Sequence, residues 1–428
     1  MPKLSHALLA LAGGFALTSA TVVAQDSAPL IDLLVKKGLI NDQEAEEVRA
    51  DLTKENAGTS AGKLALGSHL TEFKLGGDIR LRHQYDATTA QGTGSSQSRN
   101  RERFRFRLNG DFQLRQGWSA GFALETASAA DSGNQTFENA NDDYSVYLAR
   151  AYVAWKPNAQ WSFIGGKFAN PLQTTDLVWD GDINPQGLSE TYSFDLASGS
   201  LQLRAAQLVM DDNDERKGSG PSFRDSFLFV QQLVYSTKLG SGVGVTIAPG
   251  YMFYNNASVS GAANETAYAG RTKGLSLATF TGSIKFPNVG REGHSLSLYW
   301  DGTYNFDADT RAHEVYGLSD AYSDGATSWL LGIGYAKGSG KEQGDWSVKL
   351  DYRRIGIGSL DPNLSDSDFG FGNLNQRGFK LSTSYNIASF ASLGVTYFYT
   401  HDIQGGLKHA VAGLDKSNIL QVDLVTKF

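Results

Sequence analysis

Apolar and polar residues alternate along Arg101–Arg115 (RERFRFRLNGDFQLR). Phe104, Phe106, Leu108, Gly110, Phe112 and Leu114 are apolar or small; Arg101, Arg103, Arg105, Arg107, Asn109, Asp111 and Gln113 are charged or polar. Successive side chains of a strand point to opposite faces, so the segment has one greasy face and one face carrying a guanidinium ladder. A helix would scatter the same arginines around its axis. From Leu70 to Phe428 the chain repeats this unit, an alternating strand of about ten residues followed by a turn or loop. In the first repeat Phe73, Leu75, Ile79, Leu81 and Tyr85 oppose Lys74, Asp78, Arg80, Arg82 and Gln84. Later repeats include Trp118/Ala120/Phe122/Leu124, Tyr147/Ala149/Ala151/Val153/Trp155 with Arg150 opposite, and Leu296/Leu298/Trp300. Alternation is weakest over Glu190–Leu196 and Leu201–Val209.

One such strand fits a soluble sheet with a solvated outer face as well as a membrane barrel with lipid outside and water within. The connections separate the two. Short turns at Arg115–Gly117, Pro157–Gln160, Ala197–Ser200, Leu239–Gly242, Asn288–Gly293, Gly338–Gly344 and Ala388–Ala391 alternate with eight long polar loops. Those loops are Asp86–Asn100, Ser128–Asp143, Ala169–Gly187, Met210–Arg224, Asn256–Thr272, Ala308–Ala326, Ile357–Asn375 and Ile403–Lys416. Short periplasmic turns and long external loops belong to an outer-membrane barrel, and the connections imply about sixteen strands. The predicted fold is therefore all-β, a transmembrane antiparallel up-and-down barrel over residues 70–428 with both termini on the periplasmic side. Trp155, Trp161, Phe286 and Tyr385 flank the short turns, where amphipathic rings mark the lipid–water boundary.

The N-terminal part differs. Residues 1–24 have Lys3, an apolar run from Ala7 to Leu17 and small residues through Ala24, the make-up of a secretory signal peptide. Residues 25–56 are expected to form a helical periplasmic segment: Leu30, Ile31, Leu33 and Leu34 have helical spacing, Gly38 is a C-cap candidate, and Asn41 with Glu44 opens a second helix as a capping box. Residues 57–69 read as a linker. Within it Gly58-Thr59-Ser60-Ala61-Gly62 has the nucleophile-elbow pattern but lacks the flanking strand and helix that the elbow needs.

Composition agrees with this division. The chain has 428 residues, 48 Gly against 9 Pro, and no Cys, so an exported fold must hold without disulfides. A net charge of −7 argues against nucleic acid as a partner. No stretch beyond the signal approaches the ~20 apolar residues of a membrane helix.

Two passages, LIDLLVKKGLINDQEAEEVRADL and Gly165–Leu188 (GGKFANPLQTTDLVWDGDINPQGL), make the mature chain resemble the putative-porin family of Gram-negative outer-membrane proteins. The resemblance implies a diffusion channel of sixteen strands, a homotrimer, contact with outer-membrane lipid and lipopolysaccharide, and a third long loop folded into the lumen. The composition of Ala169–Gly187 fits that burial: Pro171 and Pro185 stiffen it, Leu172, Leu177, Val178 and Trp179 can pack, and Asp176, Asp180 and Asp182 supply charge.

Arg80 and Arg82 on the first strand and Arg103, Arg105 and Arg107 on the second then share a lumenal wall, with Arg150 nearby. Five guanidiniums on one wall repel unless opposed. Carboxylates of the third loop would oppose them and set a transverse field across a narrow aqueous gap. Lumenal carboxylates such as Asp78, Asp111 and Glu125 are the alternative partners. The pore-lining set is thus Arg80, Arg82, Arg103, Arg105, Arg107, Arg150, Asp176, Trp179, Asp180 and Asp182. The expected function is passive diffusion of small hydrophilic solutes and ions, with a substrate-selective anion or phosphate channel as the alternative.

Other motifs are weaker. Asp180-Gly181-Asp182-Ile183-Asn184 begins like a calcium loop, but Pro185 occupies the turn-glycine position and no glutamate closes it. Gly338-Ser339-Gly340-Lys341-Glu342 resembles a phosphate-binding loop without its spacing or Ser/Thr. The seven His show no metal-ligand spacing, and neither a cofactor nor a catalytic set is expected. A barrel hydrolase would need a Ser–His pair at the lumen edge, and an adhesin would rest on the external loops alone.

Overall fold

The computed structural model describes residues 28–37, 39–48, 67–90, 93–127, 132–212, 216, 224–240, 242–255, 273–316, 318, 323–404 and 414–428. The chain forms two units, Met1–Gly67 and Ser68–Phe428. In the first, helix α1 spans Ala28–Lys36 and a second helical stretch covers 42–48. The capping box forms: the Asn41 N–H donates to Glu44 Oε2 at 2.9 Å and the Glu44 N–H to Asn41 Oδ1 at 2.8 Å. The expected signal peptide, Gly38, the rest of the expected second helix and Gly58–Gly62 lie outside the described residues.

The second unit is one closed antiparallel sheet. Its strands are β1 (Leu70–Ala90), β2 (Ser96–Leu114), β3 (Trp118–Thr126), β4 (Gln135–Thr136), β5 (Val146–Trp155), β6 (Trp161–Lys167), β7 (Gln186–Leu196), β8 (Gly199–Asp211) and β9 (Ser226–Lys238). They continue as β10 (Gly244–Tyr254), β11 (Ser276–Pro287), β12 (His294–Asn305), β13 (Thr327–Lys337), β14 (Trp346–Ile355), β15 (Gln376–Ala388), β16 (Ala391–Asp402) and β17 (Leu414–Lys427). The two-residue β4 pairs with β2 above the end of β3, so the seventeen strands make sixteen wall strands and one patch. Pairing of β17 with β1 closes the sheet, and Phe428 extends the seam by exchanging backbone hydrogen bonds of 2.9 and 3.1 Å with Gly77. Closure removes every free edge, the condition for strands to cross lipid.

Register explains the two faces. Leu75, Leu81, Leu203, Ile333, Leu350, Val395 and Val422 point outward and are exposed, an apolar belt that only lipid covers without cost. Near the short turns the outward rings of Trp118, Trp155, Phe163, Trp161, Tyr192 and Phe194 touch in sequence, with centroids 4.6–5.8 Å apart. This is a girdle at one lipid boundary.

Two expectations change. Asp86–Asn100 is largely strand: Asp86↔Arg99 to Thr89↔Ser96 stay paired, because backbone ladders need no apolar face once both sides are wet. In β5 a bulge between Ala123/Leu124 sets Leu148 opposite outward Leu124 and Tyr147 opposite inward Glu125, so Tyr147 leaves the face predicted for it.

The turn resembling a phosphate loop does bind an anion, its own. Asp345 Oδ2 accepts the backbone N–H groups of Ser339, Gly340, Lys341 and Glu342 at 2.9–3.2 Å. These amides hold the Asp345 carboxyl below the usual carboxylate range.

A hydrophobic cluster lies inside the barrel, where water would be expected. Phe168, Leu172, Leu177, Val178 and Trp179 of the third long loop and Leu360, Leu364, Phe369 and Leu374 of the seventh pack on inward-facing Leu208, Leu228, Leu277, Leu330, Ile355 and Phe398. Ala206 and Leu208 are inward and fully covered, so this part of β8 carries apolar residues on its inner face too and its alternation fades.

Candidate functional site: the lumenal charge cluster

Strands β1 and β2 run antiparallel in register, with Arg80 opposite Arg105 and Arg82 opposite Arg103, so the alternation of both strands stacks the guanidiniums on one inner wall. Most are paired within the wall. Arg82 makes a two-pronged contact with Asp423 of β17, at 2.7 and 2.9 Å. Arg105 and Arg107 share Asp78, each at 2.8 Å, and Arg101 binds Asp86 at 2.5 Å. Arg80 and Arg103 differ. Arg80 donates to Asn134 Oδ1, with Nε at 3.1 Å, and Arg103 to Gln84 Oε1 at 3.1 Å and the Asn134 carbonyl at 3.3 Å. Their direct hydrogen-bond acceptors are neutral.

Across the lumen the third loop, here 168–185, meets the seventh, 356–375. The Asp180 N–H donates to the Leu364 carbonyl at 2.6 Å and the Asp366 N–H to the Asp176 carbonyl at 2.9 Å, a short backbone splice between loops far apart in sequence. Thr175 caps Asp301 of β12, and Gln173 exchanges two 2.8 Å hydrogen bonds with Gln232 of β9. Under the splice is an ion network. Arg353 reaches Asp351 at 2.7 Å, Asp366 at 2.8 Å and Asp176 at 3.8 Å, while Lys380 reaches Asp176 at 2.7 Å and Asp366 at 3.3 Å. Phe369 and Phe398 cover the two cations at 5.2 and 5.0 Å.

The environment splits the loop carboxylates. Desolvation would raise Asp176, but Lys380 and Arg353 outweigh it and hold it at about 2. Asp180 has no such cation: burial, then the Asp366 charge, push it up to about 8. Asp182 points the other way, 3.7 Å from Arg105 and 3.8 Å from Arg107. A polar cavity of about 300 Å³ lies between the walls, with Arg80, Arg82 and Asn134 on one side and Asp180, Asp368 and Lys380 on the other.

Of the residues singled out from sequence, Arg80, Arg82, Asp176, Asp180 and Asp182 line this cavity. Arg103, Arg105 and Arg107 stand in the same wall, and Arg150 donates to Asn109 at 2.8 Å lower on it. Trp179 does not face water: it is 3% exposed, and its indole N–H donates to the Ile183 carbonyl at 3.0 Å, bracing the loop from within. Sequence reasoning overlooked Asp366 and Asp368 of the seventh loop, and Asn134. Arg353, Lys380 and Asp423 alternate with the exposed outward residues Tyr352, Leu350 and Val422 of their sheet, so the period of their strands points them inward. A signal existed in Ile357, Leu360, Leu364, Phe369 and Leu374, which mark the seventh loop as packed by the criterion applied to the third. Among the described residues no group of acids and histidines is spaced to hold a metal.

A closed sheet with hydrocarbon-facing side chains outside and a charged, partly hydrated interior defines an outer-membrane channel barrel. Solved structures of such barrels are similar to it. They include OprB of Pseudomonas putida at high pH (10% identity, 83% of this chain and 94% of that one, TM-score 0.49). Others are the anion-selective porin from Comamonas acidovorans (12%, 83% and 99%, 0.46) and a mutant of the Rh. blastica porin (10%, 83% and 100%, 0.42). No curated protein matches the chain. The sequence matches the family described as "Putative porin" over residues 71–323 and 254–428, and the chain belongs to that family. It is a transport protein of the Gram-negative outer membrane.

Proposed function

We propose that the gap between the arginine wall and the joined third and seventh loops is the narrowest section of a passive diffusion pore for small hydrophilic solutes and ions. The observation that carries this is the uneven pairing of the wall: Arg82, Arg105 and Arg107 have carboxylate partners, whereas Arg80 and Arg103 donate to neutral acceptors. Two guanidiniums whose direct acceptors are neutral leave the wall positive where solute passes, against carboxylates on the loop side. A transverse field of this kind orients dipolar solutes and favours anions modestly. Salt-gradient recording in planar bilayers tests it. Replacing Arg80 and Arg103 together by Gln moves the reversal potential toward cations, and by more than Arg105→Ala with Arg107→Ala, whose charges Asp78 and Asp182 already balance. An unchanged reversal potential in the Arg80/Arg103 variant refutes the proposal.

The same wall supports the second reading, a phosphate- or anion-selective channel. Block of chloride current by millimolar phosphate, lost in the Arg80/Arg103 variant, would distinguish it from general diffusion. We also read residues 1–24 as a cleaved signal, 25–56 as a periplasmic helical segment, and the working unit as a homotrimer. Intact mass and crosslinking of the membrane-extracted protein test these readings.

A further inference from the structure

One row of facing residues runs around the inner wall from the gap to the short turns. From β1 it passes through Gln84↔Gln421, Gln421↔Thr396, Thr396↔Ser382 and Ser382↔Lys349. It continues through Lys349↔Gly334, Gly334↔Ser297, Ser297↔Lys285, Lys285↔Gly244 and Gly244↔Lys238. Barrel strands are tilted, so a row at right angles to them is inclined to the membrane and descends as it crosses the wall. The ends of the row show the descent. Gln421, Thr396 and Ser382 line the cavity of the gap. Lys285 stands two residues before the end of β11 at a short turn, and Lys238 is the last residue of β9. At the upper end Arg103 donates to Gln84 at 3.1 Å, which joins the row to the arginine wall.

Alternation puts the row on the inner face, because its strand neighbours Leu350, Ile333 and Leu298 are exposed to the outside. Lys349, Lys285 and Lys238 are all exposed, and among the described residues none has a carboxylate within 4.0 Å. Asp176 acts on Lys349 only from a distance, being held by Lys380 at 2.7 Å. The acids on the inner faces of β12 and β14 are committed elsewhere: Asp351 to Arg353 at 2.7 Å, and Asp301 to Thr281 and Thr175 at 2.7 and 2.8 Å. Gly334 leaves room on this wall. A Cβ there would meet Ser297 Oγ at 2.6 Å and Lys349 Cγ at 3.4 Å, so the lysine stem and the hydroxyl stand side by side across the glycine. An ammonium beside a hydroxyl offers two donors to one oxyanion. Lys349 and Lys285 are three strands apart, about 14 Å, and Lys285 and Lys238 two strands, about 10 Å. These spacings are close to the screening length of about 10 Å at 0.1 M salt, so the fields of successive lysines meet.

We propose that Lys349, Lys285 and Lys238 form a descending track of weak oxyanion sites that passes the carboxylate or phosphate of a small solute from the gap to the short-turn mouth. Weak sites in series let a charged solute both enter and leave. The track rests on the diffusion-pore reading above, but not on the polarity of the gap itself. Because the chain has no Cys, a single introduced thiol reports the local potential. Ser295→Cys, two residues below Ser297 on the same face, is reacted in full-length detergent-solubilised protein with an anionic and a cationic methanethiosulfonate of similar size. Two lysine charges at about one screening length favour the anionic reagent, so Lys285→Gln with Lys349→Gln should lower the anionic-to-cationic rate ratio about 4-fold. Inorganic phosphate at millimolar concentration, with ionic strength held by chloride, should slow the anionic reagent in the parent and not in the lysine variant. Arg80→Gln with Arg103→Gln changes the gap but should leave the thiol ratio as it is. An unchanged reversal potential in that variant sinks the gap reading alone, while the thiol ratio still decides the track. Heat-dependent gel mobility verifies the closed barrel; if the double lysine variant fails it, Lys285→Gln by itself must show about a 2-fold fall. An unchanged ratio in a folded lysine variant, an equal fall in the Arg80/Arg103 variant, or no protection by phosphate overturns the proposal.

Discussion

Arg353→Met separates the seams that hold the lumenal loops from those that hold the barrel. Arg353 is 1% exposed and is the cation on which Asp351, Asp366 and Asp176 converge. Methionine retains much of the aliphatic stem against Phe369 but supplies neither charge nor donors. The cluster then passes from three carboxylates against two cations to three against Lys380 alone. Removing one partner of a buried ion pair costs about 3–5 kcal/mol, because the other charge stays desolvated. Asp176 is 46% exposed and can recover water, so the lower end, ~3 kcal/mol, applies here. At 1.4 kcal/mol per tenfold, the undocked state of the third and seventh loops gains about two orders of magnitude in population. The sixteen-strand ladder is untouched, so heat-resistant mobility should persist while single-channel current becomes larger and noisier and the seventh loop becomes protease-sensitive. Asp366→Asn added to Arg353→Met removes the stranded charge and should recover part of the loss. A quiet channel of parental conductance would refute the reasoning, as would loss of the barrel itself, since the network would then belong to the global fold.

Other expectations follow from individual side chains. Asp180, held at about 8 against an ordinary 3.8, is mostly neutral at pH 7. Raising the pH from 7 to 9 therefore adds one negative charge at the gap and shifts reversal potential toward cations, a shift that Asp180→Asn abolishes. Because this carboxyl is raised on folding, its contribution to loop docking is full below 3.8 and is lost as pH climbs through about 8, so protease sensitivity of the loops should rise over that window. Asp345 has the opposite sign: its lowered value makes the turn firmest above 3.8 and looser as acid protonates it, and Asp345→Ala should speed hydrogen exchange at Ser339–Glu342 at neutral pH. Leu360→Ala, at 1% exposure in the interloop core, should cost about 2–5 kcal/mol of docking, read as the same noisy current.

The period-two pattern determined the strands and their two faces, and the alternation of short turns with long loops determined the barrel, because lipid on one side and water on the other constrain alternate residues of every spanning strand in the same way. Turn lengths distinguished the end of the barrel with short connections from the end with long loops, and the ladder from Arg101 to Arg107 disclosed its lumenal wall. Where a strand faces a packed loop, both faces are apolar and the pattern carries no direction, as at Ala206 and Leu208. Contacts between segments distant in sequence have no local signature. Asp423 meets Arg82 across the closing seam, and the third loop's Asp176 meets Lys380 and the seventh loop's Asp366, only because the sheet returns on itself. The arginines are visible in the sequence, but which of them present an unbalanced charge to the solute depends on partners within 3 Å, Asp78 on the paired strand for Arg105 and Arg107 and Asp423, brought by closure, for Arg82.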